Sequence, residues 1–254
     1  MLPGAQTYTI RAHTQTREDF ARSMKKLAAM GYTCVQLSAV GEMPVRYLKD
    51  VCDEAGLAIV LTHTDPERML TDPQGVLRDH EVLDCPYIGI GMMPSRYRSP
   101  EAALQFARDF RQAAELFHQG GKRLLYHHHA LEWERGGDGR SILDILLDEL
   151  PPHLLGVTLD TYWVQAAGAD VCDTILRLAQ RIPCVHLKDM AIVDGEQRTA
   201  ALGEGNLPLR KILRLLQDLG ATRYLLVEQD NSYGEDPFDC LSRSLTYLHK
   251  EGFQ

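Results

Sequence analysis

Three histidines and a glutamate follow one apolar run of this 254-residue sequence, and they are the residues most suited to chemistry. The run Leu124-Leu125-Tyr126 leads directly into His127, His128 and His129, and Glu132 comes three positions later. Imidazole and carboxylate groups at such close spacing can bind a metal ion or move protons. The stretch therefore predicts a metal-binding or acid–base site.

Three later stretches have the same design, in which an apolar, strand-like run ends in a possible metal ligand: Asp160, His186 and Glu228. Together with Glu132 they offer three carboxylates and one imidazole, which suit Mn²⁺, the preferred expectation, or Mg²⁺, Co²⁺ or Zn²⁺. A single carboxylate could instead cap a turn, and a single histidine could be a hydrogen-bonded core residue. Because burying a lone charge is costly, four such strand ends in register favour a metal site.

Apolar runs and amphipathic segments alternate along the chain, a pattern typical of parallel strands with helices outside. The predicted strands are residues 8–12, 34–37, 57–61, 87–90, 124–126, 156–160, 184–187 and 224–227. The predicted helices are residues 20–30, 45–55, 101–119, 142–147, 172–181, 209–219 and 239–251, and residues 191–205 are a predicted loop. Eight such units in 254 residues predict a single-domain (β/α)₈ TIM barrel spanning residues 1–254, whose functional face lies at the C-terminal strand ends. An open doubly wound sheet is the alternative, but no G-x-G-x-x-G sequence follows the first predicted strand.

The composition restricts the class of partner. A formal net charge of −8 offers no basic excess to displace counterions from phosphates, which argues against nucleic acid and anionic membranes and favours a small-molecule substrate. Six cysteines are scattered singly and are expected to be buried, reduced residues. Neither a signal-like N-terminus nor an apolar run of membrane-spanning length is present, so we expect a cytoplasmic protein, with a homo-oligomer possible.

Four motifs in this order resemble the sugar phosphate isomerase/epimerase family, also called the xylose-isomerase-like barrel family. They are Gly156 to Gly168, Val185 to Asp189, Leu202 to Gly205, and Val227 to Asp230. The resemblance covers essentially the whole chain. It implies a divalent-metal barrel that acts on sugars, keto-sugars or cyclic polyols, with a Glu, Asp, His and Glu ligand set in most members. The last three of these ligand positions match Asp160, His186 and Glu228.

The first ligand position has two candidates. The chain resembles the subgroup with a Tyr-His-Asn-His run followed by a glutamate, which implies Glu132 as the ligand. Strand alternation places His127 and His129 on one face, and Glu132 reaches the site only if the chain bends after His129. We therefore expect Glu132 as the ligand and His127 as the alternative, with His128 pointing away from the mouth.

A metal bound to adjacent carbonyl and hydroxyl oxygens would stabilise the charge that forms when a proton leaves the α carbon. Glu228 and Glu132 are the expected pair of proton-transfer groups, which would make the protein a sugar isomerase or epimerase working through an enediolate. His129 or Lys188 could instead protonate a leaving hydroxyl, as in a dehydratase or lyase of the keto-inositol or 3-keto-glycoside type. Lys188 could also be only an ion-pair partner of Asp189.

Further strand-end residues are candidates for substrate contacts, and each has a structural alternative. The set is His63, His127, Trp163, Lys188 and Glu204, of which His63 and Glu204 rest partly on the resemblance. Trp163 could equally be a packing residue, and Glu204 could merely form its loop. The substrate could be phosphorylated or not. An abasic-site endonuclease shares the fold but would need a basic groove, and a non-catalytic sugar-binding barrel is a further alternative.

Overall fold

Eight parallel strands close into a barrel, and the helices that join them pack on its outer side. The computed structural model describes residues 1–254. The strands are β1 (Leu2–Gln6), β2 (Cys34–Leu37), β3 (Ala58–His63), β4 (Tyr87–Ile90), β5 (Arg123–His127), β6 (Leu155–Asp160), β7 (Cys184–Leu187), β8 (Asp189–Val193), β9 (Glu196–Ala200) and β10 (Tyr224–Val227). The barrel order is β1-β10-β7-β6-β5-β4-β3-β2, and β8 and β9 form a separate antiparallel hairpin. The predicted (β/α)₈ barrel is confirmed.

Ten α-helices surround the barrel. They are α1 (Arg17–Met30), α2 (Val45–Glu54), α3 (Pro66–Thr71), α4 (Pro73–Val82), α5 (Pro100–Gln119), α6 (Ile142–Glu149), α7 (Thr161–Ala166), α8 (Val171–Leu178), α9 (Leu209–Leu219) and α10 (Pro237–Lys250). Four of them start with proline, whose fixed φ suits the first helical turn. No helix combines the length and the apolar composition needed to cross a membrane.

Alternate residues of the barrel strands face the interior, and the residues between them pack beneath the helices. In β7, for example, Cys184 packs with interior residues of other strands, whereas Val185 and Leu187 belong to the outer core. The interior group consists of Cys34, Val60, Leu61, Tyr87, Leu125, Cys184 and Leu226. In β6 the interior position is Gly156, where a Cβ would lie 2.5 Å from Leu125 Cδ2. All six cysteines are buried and unpaired, as predicted.

The predicted first strand, residues 8–12, is wrong. Residues Thr7–His13 form a 3₁₀ helix, and the Gln6 side chain accepts a hydrogen bond of 2.8 Å from the Tyr8 amide at its start. The true first strand is Leu2–Gln6, which pairs with both β10 and β2. Its Pro3-Gly4 pair is typical of a turn, and this local signal conceals a strand that exists because it closes the barrel.

The predicted loop of residues 191–205 is also partly wrong, since it contains most of the β8–β9 hairpin. Asp194 and Gly195 at its tip have φ values of 52° and 83°. Positive φ at both central residues is the requirement of the two-residue hairpin turn that Asp-Gly favours. The local signal was therefore present in the sequence. Helices α3, α4 and α7 were not predicted, whereas β2, β4, β7, β10 and α9 have the predicted bounds.

Candidate active site

Four buried side chains converge at the C-terminal mouth of the barrel. They are His127 at the end of β5, Asp160 at the end of β6, His186 in β7 and Glu228 directly after β10. One possible ligand atom from each lies within 4.8 Å of all the others, and no residue of the four is more than 4% exposed. Each faces inward because it occupies an interior-facing position on neighbouring strands. We call these four residues the His₂-carboxylate₂ centre.

The contacts of His127 leave a lone pair directed at a carboxylate. Its Nδ1 lies 3.0 Å from the Gly91 carbonyl oxygen, which can only accept, so Nδ1 carries the hydrogen. Neutral His127 then presents an unprotonated Nε2 to Asp160 Oδ2 at 3.2 Å. Burial lowers the pKa of His127, but the hydrogen bond and charge of Asp160 outweigh burial and raise the pKa above its ordinary value. The space between His127 Nε2 and Asp160 Oδ2 therefore suits either a proton or a metal cation.

His186 has the same arrangement. Its Nε2 lies 2.6 Å from the Gln36 side-chain oxygen and donates to it, which leaves Nδ1 as the free ring nitrogen. Nδ1 is 2.8 Å from Glu228 Oε2, yet neither atom has a partner in hydrogen-bonding geometry. The other oxygen of Glu228 accepts from Gln6 Nε2 at 3.1 Å. Side chains that fix the far nitrogen of a ligand histidine are typical supports of metal sites.

Lys188 is the cation already present beside the centre. Its Nζ lies 3.0 Å from Asp160 Oδ2, 3.1 Å from Glu228 Oε2 and 2.8 Å from Asp230 Oδ1. The Lys188 side chain is 1% exposed, so its buried ammonium faces the two buried carboxylates of Asp160 and Glu228 and the half-buried carboxylate of Asp230. With neutral histidines, two negative charges remain uncompensated. A divalent cation would neutralise them.

The charges of this group reinforce one another. Burial raises the pKa values of Asp160 and Glu228, but the Lys188 ammonium and the neighbouring histidines outweigh burial and lower both. Burial lowers the pKa of Lys188, and the attraction of its carboxylates more than reverses that effect. Both carboxylates are therefore ionised, as metal ligands must be. Together with the two free histidine nitrogens and the charge deficit, the residues fit a divalent metal.

Glu132 does not join the centre, which corrects the expected arrangement. Its Oε1 accepts from the Tyr126 hydroxyl at 2.5 Å, and its Oε2 accepts from the His129 amide at 2.6 Å. Tyr126 faces the outer core, because it alternates with the inward-facing His127. The chain bends after β5, but it bends Glu132 towards Tyr126 and not towards the mouth. His127, the alternative, occupies the fourth position.

An open cavity of about 810 Å³ lies directly above the centre. Its lining includes four residues that the sequence proposed for substrate contact, His63, His127, Trp163 and Lys188. It also includes two residues proposed for proton transfer, His129 and Glu228. Glu204 does not line it. The Glu204 carboxylate lies 2.7 Å from Arg243 Nε and is 47% exposed, so it ties its loop to α10 instead. The expected contact of Glu204 with substrate is therefore not supported, and its loop-forming alternative fits.

Two cavity-lining histidines have unused ring nitrogens. His63 Nδ1 lies 3.0 Å from the Ser38 hydroxyl, and its Nε2 has no hydrogen-bond partner. His129 Nδ1 is likewise buried and unpartnered. Burial lowers the pKa of His129 to about 3, and burial also holds the pKa of His63 well below its ordinary range. Both are neutral near pH 7 and can exchange a hydrogen bond or a proton with a ligand.

His128 points away from the mouth, as strand alternation predicted. Its Nε2 accepts a 3.0 Å hydrogen bond from the Asp160 amide, and its ring packs 4.7 Å from that of Trp133. Burial lowers the pKa of His128 to about 3, so the ring remains an acceptor. Asp160 is thus held from two sides, since its Oδ1 also accepts from the Trp163 amide at the start of α7.

A family model described as xylose isomerase-like TIM barrel matches residues 24–249 of the sequence. The chain belongs to this family. No curated protein matches the sequence as a relative.

Several solved structures have the same fold as this chain. A sugar phosphate isomerase/epimerase from Parabacteroides distasonis superposes with a TM-score of 0.81 at 21% identity, over 96% of this chain and 92% of that one. A D-allulose 3-epimerase from Methylomonas sp. superposes with a TM-score of 0.74 at 14% identity, over 99% of this chain and 98% of that one. A probable 3-DHS dehydratase from Bacillus anthracis superposes with a TM-score of 0.71 at 15% identity, over 98% of this chain and 99% of that one. At these identities the likeness establishes the fold alone.

Two glutamines of this xylose isomerase-like barrel are site residues that sequence reasoning missed. Gln6 and Gln36 are fully buried and hold Glu228 and His186 in place. Gln36 stands two positions after the interior residue Cys34, and Gln6 stands two positions after Gly4. The spacing of two residues was thus a usable signal. This signal was not used for Gln6, because the first strand was predicted at the wrong position. It was not used for Gln36, because the run that contains Gln36 was interpreted only as apolar.

Proposed function

We propose that this protein is a divalent-metal-dependent sugar isomerase or epimerase that transfers a proton at a carbon next to a carbonyl. The observation that carries the proposal is the His₂-carboxylate₂ centre, in which His127 and His186 direct free nitrogens at Asp160 and Glu228. With neutral histidines, the three carboxylates around Lys188 carry two negative charges in excess of its ammonium, and an open cavity lies above them, which supports binding of a divalent ion with a substrate. Two imidazoles and two carboxylates suit Mn²⁺, Co²⁺ or Zn²⁺ better than Mg²⁺, which prefers oxygen ligands.

His127, Asp160, His186 and Glu228 would hold the ion. When bound, it would act as a Lewis acid towards adjacent carbonyl and hydroxyl oxygens of a sugar. Glu228 lines the cavity and is ionised, so its carboxylate is the proposed acceptor of the α-carbon proton. Lys188 would stabilise negative charge on a substrate oxygen, because its ammonium also lines the cavity.

Epimerisation requires a second proton-transfer group, which delivers a proton to the opposite face of the enediolate. Glu132 was the expected partner of Glu228, but both of its oxygens are engaged outside the cavity. His129 replaces it in the proposal, because its Nδ1 is unpartnered and its side chain lines the cavity. Nδ1 of His129 would receive a proton from solvent and pass it to the substrate carbon, while Glu228 gives its abstracted proton to solvent; a pKa of about 3 makes protonated His129 a strong donor.

The proposal is tested by solvent exchange. The purified protein is freed of metal, reloaded with Mn²⁺ and incubated in D₂O with a panel of keto-hexoses and keto-pentoses, and ¹H NMR follows the α-carbon protons. Deuterium incorporation with formation of an isomer supports the proposal. We expect His129→Ala to slow exchange by roughly 10²–10⁴-fold, the usual contribution of a general acid–base group. His153→Ala is the matched control, since His153 is exposed and absent from the cavity lining. Metal binding without exchange of any substrate would favour a sugar-binding barrel.

A dehydratase or lyase is the second candidate, and one observation favours it. With both oxygens of Glu132 engaged outside the cavity, the expected carboxylate partner of Glu228 is missing, whereas Lys188 and His129 line the cavity and could protonate a leaving oxygen. Loss of water or of an aglycone in the same NMR experiment, with an enone product, would replace the isomerase proposal by this one. We expect no activity on nucleic acid, because a net charge of −8 disfavours binding of a phosphate backbone.

A further inference from the structure

The cavity above the centre is larger than a single sugar ring requires. Its volume is about 810 Å³. A hexose has about twelve non-hydrogen atoms. If each of these atoms occupied roughly 30 Å³, the volume of one water molecule in the liquid, the hexose would fill only about 360 Å³. More than half of the cavity is therefore available to a further part of the ligand.

The cavity combines a buried polar floor with an apolar wall, and further polar residues also line it. The floor carries His63, His127, His129, Lys188 and Glu228. The apolar wall consists of Tyr8, Pro66, Met92, Leu131 and Trp163. Four members of the wall follow β3, β4, β5 and β6, which are consecutive neighbours in the barrel, so these members lie along one arc of its mouth.

Met92 shows that this arc has no partner within the chain. Its side chain is 48% exposed although it belongs to the wall of a cavity. A large apolar side chain left exposed in a concave site is typical of a surface that a ligand covers.

The charges at the mouth disfavour a phosphate in this space. Arg98 is the one cation of the lining apart from Lys188, and its Nε already donates to the Met93 carbonyl at 2.8 Å. Asp65 and Asp230 also line the cavity. A phosphate would thus meet two carboxylates and one guanidinium, since Lys188 is already paired with three carboxylates.

We infer that the substrate is a sugar bearing an apolar substituent, with the sugar ring on the polar floor and the substituent, an aryl aglycone, against the apolar wall. The inference rests on the proposed function for the placement of the sugar ring. It makes the apolar wall the part of the site that selects the substrate. A free monosaccharide or a sugar phosphate would leave the wall exposed to water.

The test uses matched glycosides and measures binding. Methyl and 4-nitrophenyl β-glycosides of glucose, galactose and xylose are titrated calorimetrically into the full-length protein with Mn²⁺, alongside glucose 6-phosphate and 4-nitrophenol alone. For at least one sugar we expect the aryl glycoside to bind about 30-fold more tightly than the methyl glycoside, or ~2 kcal/mol, the scale of burying one aromatic ring. Met92→Ser should reduce this aryl-to-methyl ratio by about fivefold or more. Leu176→Ser is the matched control, because Leu176 is 54% exposed on α8 outside the cavity, and it should leave both affinities unchanged.

Each other outcome has a distinct meaning. Equal affinities within every pair, or tighter binding of glucose 6-phosphate, would overturn the apolar-substituent inference and leave the isomerase proposal standing. Binding of 4-nitrophenol as tight as that of its glycosides would support the apolar wall but count against a sugar on the floor, and hence against the proposed function. Absence of binding by every probe at millimolar concentration would overturn the inference.

Discussion

Replacing Lys188 by methionine separates its role as a buried counter-ion from the role of the metal. In the metal-free protein its ammonium is the cation nearest to the carboxylates of Asp160 and Glu228, at 3.0 and 3.1 Å. A metal ion at the centre would share these same oxygens. Lys188→Met therefore removes both the partner of two buried charges and a competitor of the metal, and these two effects have opposite signs.

The cost in the absence of metal follows from burial. Asp160 and Glu228 are 0% and 4% exposed, so neither carboxylate regains water when the ammonium is removed. Breaking one side of a buried ion pair costs about 3–5 kcal/mol. For a domain of this size that corresponds to a fall in Tm of roughly 6–20 °C. The effect on metal affinity has the opposite sign, because removal of the like charge should tighten Mn²⁺ binding by about tenfold or more and so recover part of the lost stability.

Differential scanning fluorimetry with and without Mn²⁺ measures both effects, and calorimetric titration gives the metal affinity. Lys49→Met is the matched control, since Lys49 pairs with Asp53 on the surface of α2, where an ion pair contributes less than about 1 kcal/mol. Two results would refute the reasoning. One is that metal-free Lys188→Met has the same Tm as the Lys49→Met control. The other is that Mn²⁺ raises the Tm of Lys188→Met no more than it raises that of the wild type.

Three further predictions test the supports of the centre. Gln36→Leu should weaken Mn²⁺ binding by about 10–100-fold, because it removes the acceptor that fixes His186, and calorimetry measures the loss. Glu132→Gln should leave Mn²⁺ affinity within about threefold while lowering Tm, since Glu132 serves Tyr126 and not the centre; a large loss of metal affinity would restore Glu132 as a ligand. The metal-free protein should lose stability as pH falls below about 4. The pKa of Asp160 is lower in the folded than in the unfolded protein, so the ionised carboxylate stabilises the fold above the unfolded pKa. This stabilisation is lost as pH falls towards the folded pKa. Asp160→Asn should flatten this dependence in pH-resolved thermal melts.

Most of the barrel could be predicted because its strands are short apolar runs between clear stop signals. The bounds of β2, β4, β7 and β10 agree with the sequence pattern residue for residue. The first strand could not be found in this way, because Leu2–Gln6 contains Pro3-Gly4 and is stabilised by parallel pairing with β2 and β10, which are distant in sequence. Long-range pairing can override a local turn signal.

Site residues on the strands or directly after them could be predicted, whereas those further along the loops could not. Asp160, His186 and Glu228 meet as expected, because strand register decides where they point. Glu132 lies beyond β5 in a 3₁₀ turn, where alternation no longer applies. Its position depends on the Tyr126 hydroxyl and the His129 amide, and neither contact has a signature in the sequence.

The same alternation suggests why the centre and the cavity above it can serve separate purposes. Gln6, Gln36, His127, Asp160, His186 and Glu228 form one polar layer of the barrel interior, fixed by the same strand pairing that holds the core. The apolar wall is built from segments that follow the strands, and Met92 and Leu131 there can change without moving a strand. Substitutions in the wall should therefore alter which ligand binds, whereas substitutions in the polar layer should alter metal binding and chemistry. A variant of Met92 that changed Mn²⁺ affinity as strongly as ligand preference would show that this separation does not hold.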